Sequence, residues 1–160
     1  YVAAERSIGF DGVLYFSADT ERIRDVRMEK ELLRQLEWKL DRLQPYVVKA
    51  DPSLIEQITQ DDMLRGMTIA ANGFYGPQGR QLRLPLADPQ LNQKIQAFDY
   101  EGHQITNYEM ESSALAGLAA MMGHRAMTVC CIIAGRVDKN MNTDYASALD
   151  NLIDTVVERI

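Results

Sequence analysis

The stretch from Ala126 to Ala134 is almost continuously apolar. A run of that kind reads as a strand buried on both faces, which requires helices on each side of a largely parallel sheet. The rest of the chain alternates in keeping with this. Ser7 to Phe16 has the composition of β structure turned by Asp11-Gly12. Met28, Leu32, Leu33, Leu36, Leu40 and Leu43 fall on one stripe, which predicts a helix over 28–43 that stops at Gln44-Pro45. Asp51-Pro52 starts a short helix, because Asp caps and Pro suits the first turn. Met67 to Ala71 is a short strand, and Asp88-Pro89 opens a helix that turns Leu91, Ile95 and Phe98 inward. Ile105 to Met110 is a strand, followed by a helix that starts at Ser112 or Ser113, carries Leu115, Leu118 and Met122, and ends at Gly123. From Thr143 onward, Tyr145, Leu149, Leu152, Ile153, Val156, Val157 and Ile160 make the stripe of a last helix. The expectation is one α/β domain over residues 1–160 with a mixed or mostly parallel sheet.

Ligands of such sheets sit at the carboxyl ends of the strands. Three loops then matter: those after Ala71, after Met110 and after Ala134. The second holds Asn107-Tyr108-Glu109-Met110-Glu111-Ser112-Ser113. Side chains two apart on a strand share a face, and two acids on one face repel unless something binds between or beside them. A carboxylate such as Glu111 can accept hydrogen bonds from two vicinal hydroxyls, as on a ribose. It can also stabilise an oxocarbenium-like sugar more than the ground state. A charge complementing a helix dipole is the plainer use of the same residue. Glu109 suits either a contact with a base or an arginine, or a simple salt bridge, and Met110 suits a core.

The first loop, Gly73-Phe74-Tyr75-Gly76-Pro77-Gln78-Gly79-Arg80, supplies aromatics, an amide and a guanidinium. The Gln78 amide matches a pyrimidine edge that shows N3–H beside a carbonyl. Arg80, a permanent cation with planar donors, can stabilise the negative charge that builds on a departing uracil. Gly-Pro and Gln-Gly are also ordinary in exposed turns. Arg136 follows the apolar run and can reach the same pocket or remain on the surface.

Other classes fall away on composition. With 46% apolar and 25% charged residues over 160, the chain has the makeup of a folded domain. A net charge of −6 argues against a nucleic-acid surface. No apolar run reaches membrane-spanning length, and nothing resembles a signal peptide. Cys130 and Cys131 are adjacent, so a mutual disulfide is implausible, and they read as buried thiols of a reducing, cytoplasmic compartment. His103 and His124 have no metal-ligand spacing, so no metal is expected.

Taken together, Gly73–Arg80, Asn107–Ser113 and Thr128–Arg136, with a weaker match at Arg6–Gly12, resemble the uridine phosphorylases of the nucleoside phosphorylase-I family. The resemblance implies a three-layer sandwich, here shortened at its N-terminal side, and reversible phosphorolysis of uridine to uracil and ribose-1-phosphate. It implies that Gln78 and Arg80 hold the uracil with Phe74 close by. Met110 and Glu111 hold the ribose, Glu109 and Arg136 support the base site, and Ile133 lines it. Arg80, Glu111 and Arg136 are the implied catalytic residues. Ala134-Gly135-Arg136 lacks the Asp of purine-specific relatives, which favours a pyrimidine, while Gly135 departs from an expected Asn. No cofactor is implied, only phosphate as co-substrate. The glycine, arginines and threonine that hold phosphate in the family have no counterpart here and are expected before Tyr1. The 160 residues alone are therefore expected to lack phosphorolysis. A homo-oligomer is implied, a dimer-based hexamer in the family, in which a neighbouring subunit lends a histidine. Two alternatives stay open: a related nucleosidase that uses water, and a silent nucleoside-binding or assembly fragment.

Overall fold

The computed structural model describes residues 1–135 and 141–160. Among these residues six strands form one mixed sheet: β1 (Val2–Gly9), β2 (Tyr46–Lys49), β3 (Leu64–Ala70), β4 (Asp99–Tyr100), β5 (His103–Glu109) and β6 (Val129–Cys130). The order is β2-β1-β3-β5-β4, with β6 added beside β1. The β1–β3 and β3–β5 pairs are parallel, and the flanking pairs of β2, β4 and β6 are antiparallel. Because β1, β3 and β5 run the same way, their carboxyl ends, Gly9, Ala70 and Glu109, share one rim.

Among the described residues five α-helices accompany the sheet: α1 (Val26–Gln35), α2 (Pro52–Ile58), α3 (Leu91–Ala97), α4 (Ser112–Met121) and α5 (Tyr145–Arg159). The pleat sorts the strand residues between two layers. Ile8, Val47, Met67 and Ile69 join Met28 and Leu32 of α1 and Leu91 and Ile95 of α3 in the main core. On the opposite face, Tyr46 and Val48 pack with Leu14 and Ala116 of α4, and further along Ala3 meets Ile55 of α2. Helices therefore lie on both faces of a mixed sheet, the expected α/β sandwich.

Several local expectations give way. Val13–Phe16 is a 3-10 turn rather than β structure, entered through Gly12 at φ 73°. The helix expected over 28–43 ends at Gln35, and Glu37 sits in the left-handed region. Leu40 and Leu43 still reach the core, because the Trp38 Nε1–H donates to both of their carbonyls and holds the turn. The 126–134 run is not a strand buried on both faces. The β2 strand already occupies β1 along Arg6–Gly9, so β6 pairs with Val2 and Ala3 and the run gains one further bond with β1, from the Ala4 N–H to the Thr128 carbonyl. Ile132 and Ile133 are exposed beyond it.

The inner face of α4 carries Ser112, Ser113, Ala116, Gly117 and Ala119, while Leu115, Leu118 and Met122 face outward. Small residues are needed there because a Cβ on Gly117 would stand 2.9 Å from both Cδ atoms of Leu14. Most of the α5 stripe is likewise outside. Leu152 is buried against Ile58 and Met63, whereas Tyr145, Leu149, Ile153 and Val157 are exposed. Asp51 does cap α2 as expected, accepting from the Leu54 N–H. Gly123 follows α4 at φ 76°.

Candidate active site

The shared rim carries the acid motif. Glu109 is the last residue of β5, and α4 starts three residues later. The two carboxylates of the motif have different surroundings. Glu109 Oε2 accepts from the backbone N–H groups of Glu111 and Ser112, both at 2.7 Å, and its Oε1 accepts from the Ser112 hydroxyl at 2.7 Å. Glu109 thus satisfies the donors that a helix start leaves open. Any contact with a base has to share those oxygens. Glu111 occupies the N-cap position but does not cap the helix with its side chain. Its carboxylate is exposed and has no hydrogen-bond partner among the described residues. Of the two acids, Glu111 is the one open to a ligand, with Met110 exposed beside it.

The loop after β3 starts at the same rim, where the Ala71 N–H donates to the Glu109 carbonyl at 2.9 Å. It then builds a compact cluster. Gly76–Gln78 forms a 3-10 turn that closes through Gly79 at φ 70°. Arg80 folds back so that its guanidinium lies 3.8 Å above the Phe74 ring. Its Nη1 donates to the Phe74 carbonyl and, at 2.6 Å, to Oε1 of the buried Gln78. Both protons of Nη1 are thereby used. The N–H groups of Nε and Nη2 keep no protein partner among the described residues, so a fork of donors remains for a planar acceptor. Phe74 and Tyr75 meet edge-to-face at 5.4 Å and are both about half exposed.

The cluster is tied to β5. Asn92 of α3 donates from Nδ2 to the carbonyls of Gln78 and Gly79 at 3.3 and 3.4 Å, and its Oδ1 accepts from the Tyr108 hydroxyl at 2.7 Å. The amide–guanidinium cluster is therefore fixed to a residue three positions before Glu111. A groove of about 980 Å³ opens beside it, walled by Asn72, Tyr75, Arg80, Phe10, Leu43 and Leu91 among others. Of the expected base-binding residues Arg80 lines this groove, whereas Phe74, Gln78 and the acid motif Glu109, Met110 and Glu111 are not among its walls.

The third expected loop approaches from β6. Burial pushes the Cys130 thiol up to about 11, and the carboxylates of Glu109 and Glu111 add to the shift. Both cysteines are half-buried and free, less enclosed than expected. Ile133 lies beyond β6 with its carbonyl accepting from the Asn142 N–H. Arg136 falls outside the described residues. Asp11, Asn92 and Tyr108 were not legible as site residues: Asp11 read as a turn, and the Asn92–Tyr108 contact joins residues 16 apart in sequence. Among the described residues no group of His, Cys, Asp and Glu could hold a metal ion, and no helix is long and apolar enough to cross a membrane.

The model of the phosphorylase superfamily matches residues 2–158. The chain belongs to the phosphorylase superfamily. Within it, the chain is 38% identical over 80 residues to uridine phosphorylase A of Schistosoma mansoni, covering 49% of this chain and 26% of that protein. It is 36% identical over 78 residues to the uridine phosphorylase of Thermococcus kodakarensis, covering 45% of this chain and 25% of that protein. Among solved structures, a Trypanosoma brucei nucleoside phosphorylase described as showing uridine phosphorylase activity superposes with a TM-score of 0.82 at 24% identity. That superposition covers 99% of this chain and 56% of the other. The fold is therefore that of the phosphorylase superfamily. The matched region spans about a quarter of each sequence relative and a little over half of the solved structure.

Proposed function

We propose that this chain carries the nucleoside-binding part of a uridine phosphorylase, a pentosyltransferase that cleaves uridine with phosphate to uracil and ribose-1-phosphate. The observation that carries the reading is the division of labour in the acid motif. Glu109 is consumed by the helix start, while Glu111 stands open at the rim, three residues after the tyrosine that anchors the Gln78–Arg80 cluster. The sequence relatives bearing the name uridine phosphorylase support the substrate class.

In this reading Glu111 accepts from the ribose 2′- and 3′-hydroxyls, with Met110 against the sugar. As the C1′–N1 bond breaks, the sugar gains oxocarbenium character that the Glu111 carboxylate stabilises. The bonding pair passes to the uracil ring, where charge builds on a carbonyl oxygen. The open N–H groups of Arg80 meet that charge, preorganised by the bonds to Phe74 and Gln78, an effect worth a few kcal/mol per donor. Gln78 reads the base edge, and Phe74 and Ile133 supply apolar contact. Glu109 supports the site by fixing the helix start. Phosphate attacks C1′ as co-substrate, and no residue described here is assigned to it. No cofactor or metal is required. The reading extends to pyrimidine salvage in the cytoplasm and to assembly as a dimer-based hexamer, for which the outward Leu115, Leu118 and Met122 of α4 offer apolar surface.

The test is an absorbance assay of uridine cleavage by the purified protein that contains this chain, with and without phosphate. Turnover that depends on phosphate is expected. Uridine left intact in phosphate contradicts the reading, and cleavage without phosphate moves it to a nucleosidase.

A further inference from the structure

Asp11 lies two residues past the end of β1, at the same rim as the acid motif, and it is engaged on both oxygens. Oδ1 accepts from the Tyr46 hydroxyl at 2.6 Å and from the Val13 N–H at 2.7 Å. Oδ2 accepts a short hydrogen bond from the Ser113 hydroxyl. The neighbouring Ser112 is held by Glu109. Adjacent serines at the start of α4 are thus gripped by carboxylates from two different strand ends, one after β1 and one on β5. The segment after Asp11 continues to fix the helix along its length. Leu14 lies under Gly117, and Arg22 Nη2 donates to the Met121 carbonyl at 2.9 Å.

Glu111 immediately precedes these serines. Its side chain has no bond of its own among the described residues, so its place is set by the backbone at the start of α4. A turn of the helix about the Glu109 bonds would swing Glu111 along the rim, and the Asp11–Ser113 bond opposes that turn. Tyr46 answers the charge of Asp11 from β2, its hydroxyl kept protonated by burial and by Asp11 itself.

We infer that Asp11 is a positioning residue for the sugar-binding carboxylate: through Ser113 it fixes the start of α4, and so the point from which Glu111 reaches a ribose. This rests on the proposed role of Glu111. It predicts a split between ligands, because Asp11 acts on the ribose contact and has no bond to the Gln78–Arg80 cluster.

The test is calorimetric titration of the 160-residue chain with uridine and with uracil. Asp11→Asn is expected to weaken uridine binding about tenfold, the scale of one charge-assisted hydrogen bond, with uracil binding unchanged. Ser113→Ala removes one of the three Asp11 bonds and should give the same split if Asp11→Asn does not fold. Ser113→Thr keeps the hydroxyl and should retain uridine affinity. Equal loss for both ligands, or no loss for either, overturns the positioning role while leaving the nucleoside reading intact. Failure of the unmodified chain to bind uridine overturns both.

Discussion

The Tyr108 hydroxyl donates to Asn92 Oδ1 at 2.7 Å, and the same amide reaches the carbonyls of Gln78 and Gly79. One side chain of α3 thus fastens the glycine-rich loop to the strand that leads into the acid motif. Asn92→Ala removes that fastening. It should cost about 1–2 kcal/mol of stability in urea unfolding, in line with lost half-buried hydrogen bonds. It should also weaken uracil binding by calorimetry, because the Gln78–Arg80 cluster loses its anchor. Unchanged uracil affinity would show that the loop holds its shape alone.

Gly9 ends β1 opposite Tyr46, and a Cβ there would stand 2.3 Å from Cζ of that ring. The ring cannot retreat freely, since its hydroxyl is held by Asp11. Gly9→Ala should therefore destabilise the fold by about 3 kcal/mol, the upper range for overpacking. The midpoint of urea unfolding measures it, and a loss within experimental error would mean that Tyr46 repacks at little cost.

Asp88 and Lys94 form a 2.9 Å ion pair whose carboxylate is almost fully enclosed. The hydrogen bond from Lys94 holds the Asp88 carboxyl below its ordinary range. A carboxyl depressed in the folded state stabilises it above the ordinary pKa of about 3.9, and the contribution is lost as pH falls through the lower folded value. Melting temperatures from pH 7 to pH 2 should show Asp88→Asn less stable than the unmodified chain at pH 7. The difference should shrink below about pH 4. A difference constant across that range would rule out the ion pair as its source.

With its thiol pushed up to about 11, Cys130 should be a poor nucleophile near neutrality. In a Cys131→Ser chain, iodoacetamide should modify Cys130 far more slowly at pH 8 than it modifies a small free thiol. The rate should climb toward pH 11. Rapid labelling at pH 8 would mean that the acid pair and the burial do not act on it.

The layout of the fold was legible where the signal is local. The β-α alternation, the Asp51 cap, the stop at Gly123 and the inward Leu91, Ile95 and Phe98 all follow from short-range chemistry. The misread segments are those whose partners are distant. The Ala126–Ala134 run looks like a central strand, yet β2 already lines β1 from Arg6 to Gly9 and leaves it the short stretch Val2 to Ala4. The leucine stripe past Gln35 reaches the core through a turn tied by Trp38, which no periodicity announces. In the site, the acid pair was visible as a pair, but not that Glu109 would be spent on the helix start and Glu111 left open. That asymmetry depends on where the backbone N–H groups of α4 point.

The most direct measurement is calorimetry of uridine and uracil on the chain carrying Arg80→Ala or Glu111→Gln. Arg80→Ala should weaken both ligands, since both carry the base. Glu111→Gln should weaken uridine by about tenfold or more and leave uracil untouched, since only uridine carries the sugar. Uridine binding that survives both substitutions unchanged would contradict a nucleoside site shared between the loop of Arg80 and the start of α4.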